Sequence, residues 1–95
     1  MSTWPFHDPE NVAAITVRQI VYDKHPILLV LHDEEDGGWQ FLTGGPFNVA
    51  DGLVVALKNA VALDSSLLEL ADLPIGWEAS RSSREQPWVR RKSAV

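Results

Sequence analysis

ILLVLHDEEDGGWQFLTGG, residues 27–45, decides how the rest of the chain is read. Residues 27–31 are an unbroken apolar run of the kind that lies inside a sheet or a core. Residues 33–38 are an acidic reversal closed by two glycines, and residues 39–42 resume an aromatic-rich run. The pattern predicts a β-hairpin with strands over residues 27–32 and 39–43. Trp39 and Phe41 are expected in the core, with Trp39 as its anchor.

Upstream of the hairpin, Asp8-Pro9-Glu10 is a helix-start signal, with Asp8 as N-cap and Pro9 at the first helical position, and it predicts a short helix to about residue 14. Residues 15–22 alternate, Ile15, Val17 and Val21 on one side and Thr16, Arg18 and Tyr22 largely on the other, which predicts a half-buried strand from which Ile20 departs. Asp23-Lys24-His25-Pro26 is turn-like, because the residue before a proline is pushed out of the helical region. With the hairpin, these segments make a three-stranded meander.

Downstream, Gly44-Gly45-Pro46 breaks regular structure, and Asn48, three residues before Asp51, is an N-cap signal for a helix over residues 49–63. At helical spacing Leu53, Val54, Ala56, Leu57, Ala60 and Val61 form a wide apolar face, so Leu53 and Leu57 are expected in the core. Ser66 with Glu69 is a capping-box signal for a short helical turn that ends near Asp72 and is closed by Pro74. Residues 74–81 and 88–91 read as a second hairpin around a polar loop, with Trp77 in the core and residues 92–95 frayed. The expected fold class is α+β, an antiparallel β-sheet of meander plus C-terminal hairpin covered on one face by one main helix, with short helical turns.

Ninety-five residues point to a single small domain over residues 1–95, acting as a monomer or small homo-oligomer. Hydrophobic residues at 45% and charged residues at 22% are ordinary for a globular chain. With no cysteine, disulfides, thiolate zinc sites and thiol nucleophiles are excluded, and the expected location is the cytoplasm. Residues 1–12 show no signal-peptide pattern, and every apolar run falls well short of the roughly 20 residues of a membrane span, so neither secretion nor membrane insertion is expected. The net charge of −5 is unevenly divided. Residues 1–80 hold twelve Asp and Glu against Arg18, Lys24 and Lys58, a balance of −9. Residues 81–95 hold Arg81, Arg84, Arg90, Arg91 and Lys92 against Glu85, a balance of +4. An acidic body argues against nucleic-acid binding, which needs clustered cations to neutralise phosphates.

No pattern in the chain predicts a reaction. His7, His25 and His32 show no i, i+4 pair of the helical zinc type, so no metal site or cofactor is expected. Asp33, Glu34, Glu35 and Asp36 lack the alternating ligand positions of an EF-hand loop, and Gly44-Gly45-Pro46 lacks the lysine of a phosphate-binding loop. Ser65, Ser66, Ser80, Ser82 and Ser83 occur without a nucleophile elbow or a companion base. The four acidic tip residues are instead candidates for presenting charge to a basic protein partner. Of the tryptophans, Trp4 and Trp88 lie near polar or terminal segments, and Trp88 is the candidate binding hot spot.

The succession of strand, turn, Pro26 with an apolar strand, acidic loop and Gly38-Trp39-Gln40-Phe41-Leu42-Thr43-Gly44 resembles a family of small bacterial α+β proteins grouped with the immunity proteins of polymorphic toxin systems. Leu73-Pro74-Ile75-Gly76-Trp77, with Trp88 beyond it, resembles the C-terminal part of that family, and the likeness spans about residues 12–90. It implies a non-enzymatic protein that neutralises a toxin by binding and occluding it. This chain departs from the family in a shorter acidic loop and in few charged residues along its long helix. The alternative is a housekeeping domain or small enzyme subunit that acts only with a partner.

Overall fold

The computed structural model describes residues 4–93. In chain order the elements are β1 (Ala13–Val17), α1 (Arg18–Val21), β2 (Leu29–His32), β3 (Trp39–Leu42), a 3-10 turn (Val49–Asp51), β4 (Gly52–Ala56), α2 (Leu57–Leu63), a 3-10 helix (Ser65–Leu70), β5 (Trp77–Ser80) and β6 (Val89–Lys92). The strands form one six-stranded sheet in the order β4-β1-β3-β2-β5-β6. All neighbours are antiparallel except β1 and β3, which run parallel.

The central hairpin forms as its sequence predicts. Val30 lies opposite Phe41 and His32 opposite Trp39. Asp33 N–H donates to the Gly38 carbonyl at 2.8 Å and Gly37 N–H to the Asp33 carbonyl at 2.9 Å, which closes the acidic reversal. Gly37 sits at φ +71°, a left-handed conformation that a side chain disfavours. Phe41 and Val30 are fully buried, and Trp39 is 3% exposed.

The inward face of the sheet carries Ala14, Thr16, Val30, Phe41 and Ala79, all buried. Packed on it are Leu57 and Ala60 of α2, Leu67 and Leu70 of the 3-10 helix, Leu73, Ile20, Ile27 and the N-terminal Phe6. The cover is thus shared between short pieces, where one main helix was expected. Residues 49–63 are a 3-10 turn, a strand and a seven-residue helix. The adjacent β-branched Val54 and Val55 favour extended backbone. Pairing with β1 also satisfies a strand that would otherwise be a bare sheet edge, and these two gains outweigh the helical spacing of the apolar residues. Leu57 stays in the core as expected, but Leu53 is only half-buried and Val54 is 73% exposed.

Several other expectations are corrected. There is no meander, because β3 inserts between β1 and β2. Residues 9–12 form a single turn instead of a helix, with Val12 N–H donating to the Pro9 carbonyl at 3.1 Å. Asp8 caps nothing: its carboxylate accepts the indole N–H of Trp39 at 2.9 Å and its carbonyl that of Trp4 at 2.7 Å. The strand expected over residues 15–22 stops at Val17 and turns into α1, and its buried residues are Ala14, Thr16 and Val17, with Ile15 exposed. Thr16 tolerates full burial because its hydroxyl donates to the Phe41 carbonyl at 2.8 Å. Ile20, which broke the strand alternation, is buried on α1. Asp64, not Ser66, caps the 3-10 helix, accepting Ser66 N–H at 3.0 Å. Trp77 is half-buried at the margin of the core. Lys92 closes β6 and Ser93 N–H donates to the Gly76 carbonyl at 2.9 Å, so the chain is ordered past the point where fraying was expected; residues 94 and 95 lie outside the described residues.

W39A is expected to cost about 3–5 kcal/mol, the range for truncating a buried Trp, and V54T on the exposed side of β4 well under 1 kcal/mol, both read from denaturant titration. A W39A midpoint equal to that of the parent would show that the hairpin does not anchor the fold.

Candidate functional site

Among the described residues no helix covers the other face of the sheet, where Val54 and Ile15 are exposed. Side chains alternate across a sheet, so the register aligns Val54, Ile15, Gln40, Leu31, Glu78 and Arg91 in one row that crosses all six strands. No member of the row is buried; Val54 is 73% and Ile15 42% exposed. The next row brings Leu42, Leu29, Ser80 and Val89 together, with Val89 exposed. Leu42 is nearly buried and shares a small cavity with Val17, Phe47 and Asn48 of the loop that follows β3. Toward β6 the face turns polar, and Arg91 donates to Glu78 at 2.8–2.9 Å.

At the end of this face stands the acidic tip. Asp33 accepts Glu35 N–H and Asp36 accepts Gly38 N–H, each at 2.8 Å, so one oxygen of each aspartate holds the turn. Glu34, Glu35 and Asp36 are exposed and Asp33 is half-buried. Asp33 divides two grooves. One, of about 550 Å³, runs between Glu34, Glu35, Leu31 and Glu78; the other, of about 300 Å³, runs between Asp36, Gln40, Ile15 and Val54. Both lead from the row, past its apolar members Leu31, Ile15 and Val54, to the carboxylates. Gly76, at φ +87°, lies close under the Glu34 side chain, and its N–H donates to the His32 carbonyl at 2.7 Å, which packs the segment before β5 against the tip.

The three histidines do structural work or lie in solvent. The His32 ring stacks on Trp39 at 3.8 Å, and its Nδ1 lies 2.7 Å from the Leu73 carbonyl, which can only accept, so Nδ1 carries the proton. His25 Nδ1 pairs with the Pro26 carbonyl in the same way, and His7 is exposed. Among the described residues no group of three His, Asp or Glu side chains is gathered as a metal site. Ser66 Oγ accepts from both Arg81 and Trp88 and lies beside the Asp64 carboxylate, which is itself paired with Arg81.

Trp88 is not part of the acid-rimmed face. Val89 pairs with Ser80 and Lys92 with Trp77, which sets Trp88 at the end of the C-terminal hairpin away from the tip. Its indole N–H donates to Ser66 at 3.1 Å, and the Arg81 guanidinium sits 4.0 Å above its ring. Arg81, grouped by its sequence position with a basic tail, is buried: it donates to Asp64, to the Ile27 carbonyl and to Ser66. Burial works to raise the pKa of Asp64, but hydrogen bonds from Ser66 and Arg81, with the charge of Arg81, outweigh it and hold the carboxyl below its usual range. Arg90 likewise bonds Asp72 at 2.8 Å and draws down the pKa of that exposed carboxyl. The +4 balance of the C-terminal segment is therefore largely spent on carboxylates of the body.

The open row is not legible in the sequence, because Ile15 alternates in step with the buried Val17 and Val54 fits a helical face. The signal present was the paired Val54-Val55 after a glycine, which suits a strand as well as a helix. No helix among the described residues is long and apolar enough to cross a membrane. No protein-family model, curated protein or solved structure matches this chain.

The Arg81–Asp64 pair has a pH signature. A depressed carboxyl pKa contributes stability that is present above the unfolded value of 3.8 and is lost as pH falls through the lower folded value. D64N is therefore expected to be less stable than the parent by about 3 kcal/mol at neutral pH, with the gap constant above about pH 5 and closing in stronger acid. A gap that does not change with pH would show that the charge of Asp64 contributes nothing.

Proposed function

We propose that this chain is a non-catalytic binding protein that docks a basic protein on its uncovered sheet face, with the acidic hairpin tip as the rim. The observation that carries the proposal is the row Val54, Ile15, Gln40 and Leu31, left without a covering layer and leading through two grooves to Asp33, Glu34, Glu35 and Asp36. An apolar centre supplies the area that gains from desolvation, and a charged rim selects and steers the partner. Occlusion of this kind requires no reacting group. A toxin with a basic working surface fits the chemistry, in line with the resemblance of the Gly38–Gly44 motif to immunity proteins, and the absence of cysteine suits action in the cytoplasm.

The test is capture of the partner with the purified chain as bait, followed by association kinetics at low and high salt for the parent, for I15S, and for the neutralised tip D33N/E34Q/E35Q/D36N. Asn keeps the turn-forming oxygens of Asp33 and Asp36, so the tip variant should fold as the parent does. Steering fields decay over about 8 Å at physiological ionic strength, so the parent should associate more slowly as salt rises. The tip variant should associate several-fold more slowly at low salt only, whereas I15S should act mainly by speeding dissociation. An acidic partner, or association rates for the tip variant that match the parent at both salt concentrations, overturns the proposal.

A further inference from the structure

We infer that the free edge of β4 pairs with the same edge of a second copy of this chain, antiparallel about Val54, and joins two sheets into one. The sheet has two edges, and they differ. β6 reads Val-Arg-Arg-Lys and is exposed throughout, which is how a protein guards an edge against strand addition. β4 reads Gly-Leu-Val-Val-Ala, carries no charge, and among the described residues has β1 as its only strand partner.

The hydrogen-bond parity of β4 fits self-pairing. Leu57 N–H donates to the Val12 carbonyl at 2.8 Å, one step past the Ala13–Ala56 pair. Antiparallel alternation then directs the backbone groups of Leu53 and Val55 toward β1 and those of Gly52, Val54 and Ala56 away from it. In a two-fold pair centred on Val54, the N–H and carbonyl of Val54 meet those of Val54 in the other copy, and each Ala56 N–H meets a Gly52 carbonyl. The Gly52 N–H already donates to the Val49 carbonyl, so each Ala56–Gly52 pair is joined by one bond, from the Ala56 N–H.

Side chains and charge favour the same occupant. Leu53 and Val55 on the inner side of β4 are half-buried and Val54 on the outer side is 73% exposed, so a second β4 covers apolar surface on both faces. Ala13, beside Ala56, shares the groove of Asp36, so the acidic tip lies at the Ala56 end of β4, and the antiparallel arrangement sends the two tips to opposite ends of the joined sheet. Two copies of net charge −5 thereby pair without bringing their most acidic segments together.

A five-residue strand pair buries less than a standard interface of about 1,600 Å², so the dimer is weak and concentration-dependent. Sedimentation equilibrium should show the mass rising from 10.5 kDa toward twice that value between micromolar and millimolar protein, and V54K, which opposes like charges across the two-fold, should hold the chain monomeric. A second readout uses the cysteine-free background: hydrogen-bonded antiparallel partners lie about 5.5 Å apart, within disulfide reach, so V54C should cross-link under mild oxidation about tenfold or more faster than V89C on the exposed β6 edge. A parent that stays monomeric throughout, a V54K that dimerises like the parent, or equal cross-linking of V54C and V89C overturns the inference.

Discussion

Trp39 can be buried only because its indole N–H finds an acceptor, and that acceptor is Asp8. An unpaired indole N–H in the core would cost about 1–3 kcal/mol, enough to matter in a small domain. The bond draws the N-terminal segment across the end of the sheet, where Phe6 meets Trp39 edge-on at 5.3 Å and the Trp4 ring lies 5.0 Å from Phe6. On its other sides the Trp39 ring is held by His32 and by Phe41, and His32 is itself fixed by the Leu73 carbonyl. One aromatic cluster therefore ties together the N-terminus, the central hairpin and the segment leading into β5.

That cluster makes the sheet one-sided. With Trp39, Phe41 and Val30 committed to the inner face, the short helical pieces gather there, and the outer row is left to solvent. A second clamp, Arg81 with Asp64, Ser66 and Trp88, fastens the far end of the C-terminal hairpin to the same helical layer. The two anchors fasten β5 and β6 to the helical layer from the two ends of the C-terminal hairpin. An uncovered sheet face with Val54, Ile15 and Leu31 in its open row and a charged rim is suited to docking, and pairing through the uncharged β4 edge would use backbone groups while sharing Val54 with that face.

The hairpin was legible because its signals are local: an apolar run, an acidic turn with a glycine at positive φ, and a second run within 16 residues, 27–42. The C-terminal hairpin and the break at Pro74 were legible for the same reason. What could not be read depends on distant partners. Asp8 has every mark of an N-cap, but Trp39, 31 residues away in sequence, takes its carboxylate. Leu53 and Val54 fit a helical face as well as a strand, and only the unpaired side of β1 decides between them. The acidic tip was visible as a charge run, whereas the apolar row beside it comes from five different inter-strand registers. Arg81 looked like one cation of a basic tail because nothing near it in sequence marks the buried Asp64 as its partner.

The central claim is that the uncovered side of the sheet, and not the helical layer, meets the partner. Mapping backbone amide shifts of the labelled chain as the captured partner is added tests it most directly. The account predicts that the largest changes fall on Ile15, Leu31, Gln40, Glu78 and the tip residues Asp33, Glu34, Glu35 and Asp36, with α2 and the 3-10 helix little affected. Changes concentrated on Leu57–Leu63 and Ser65–Leu70, with the outer row unmoved, would contradict it.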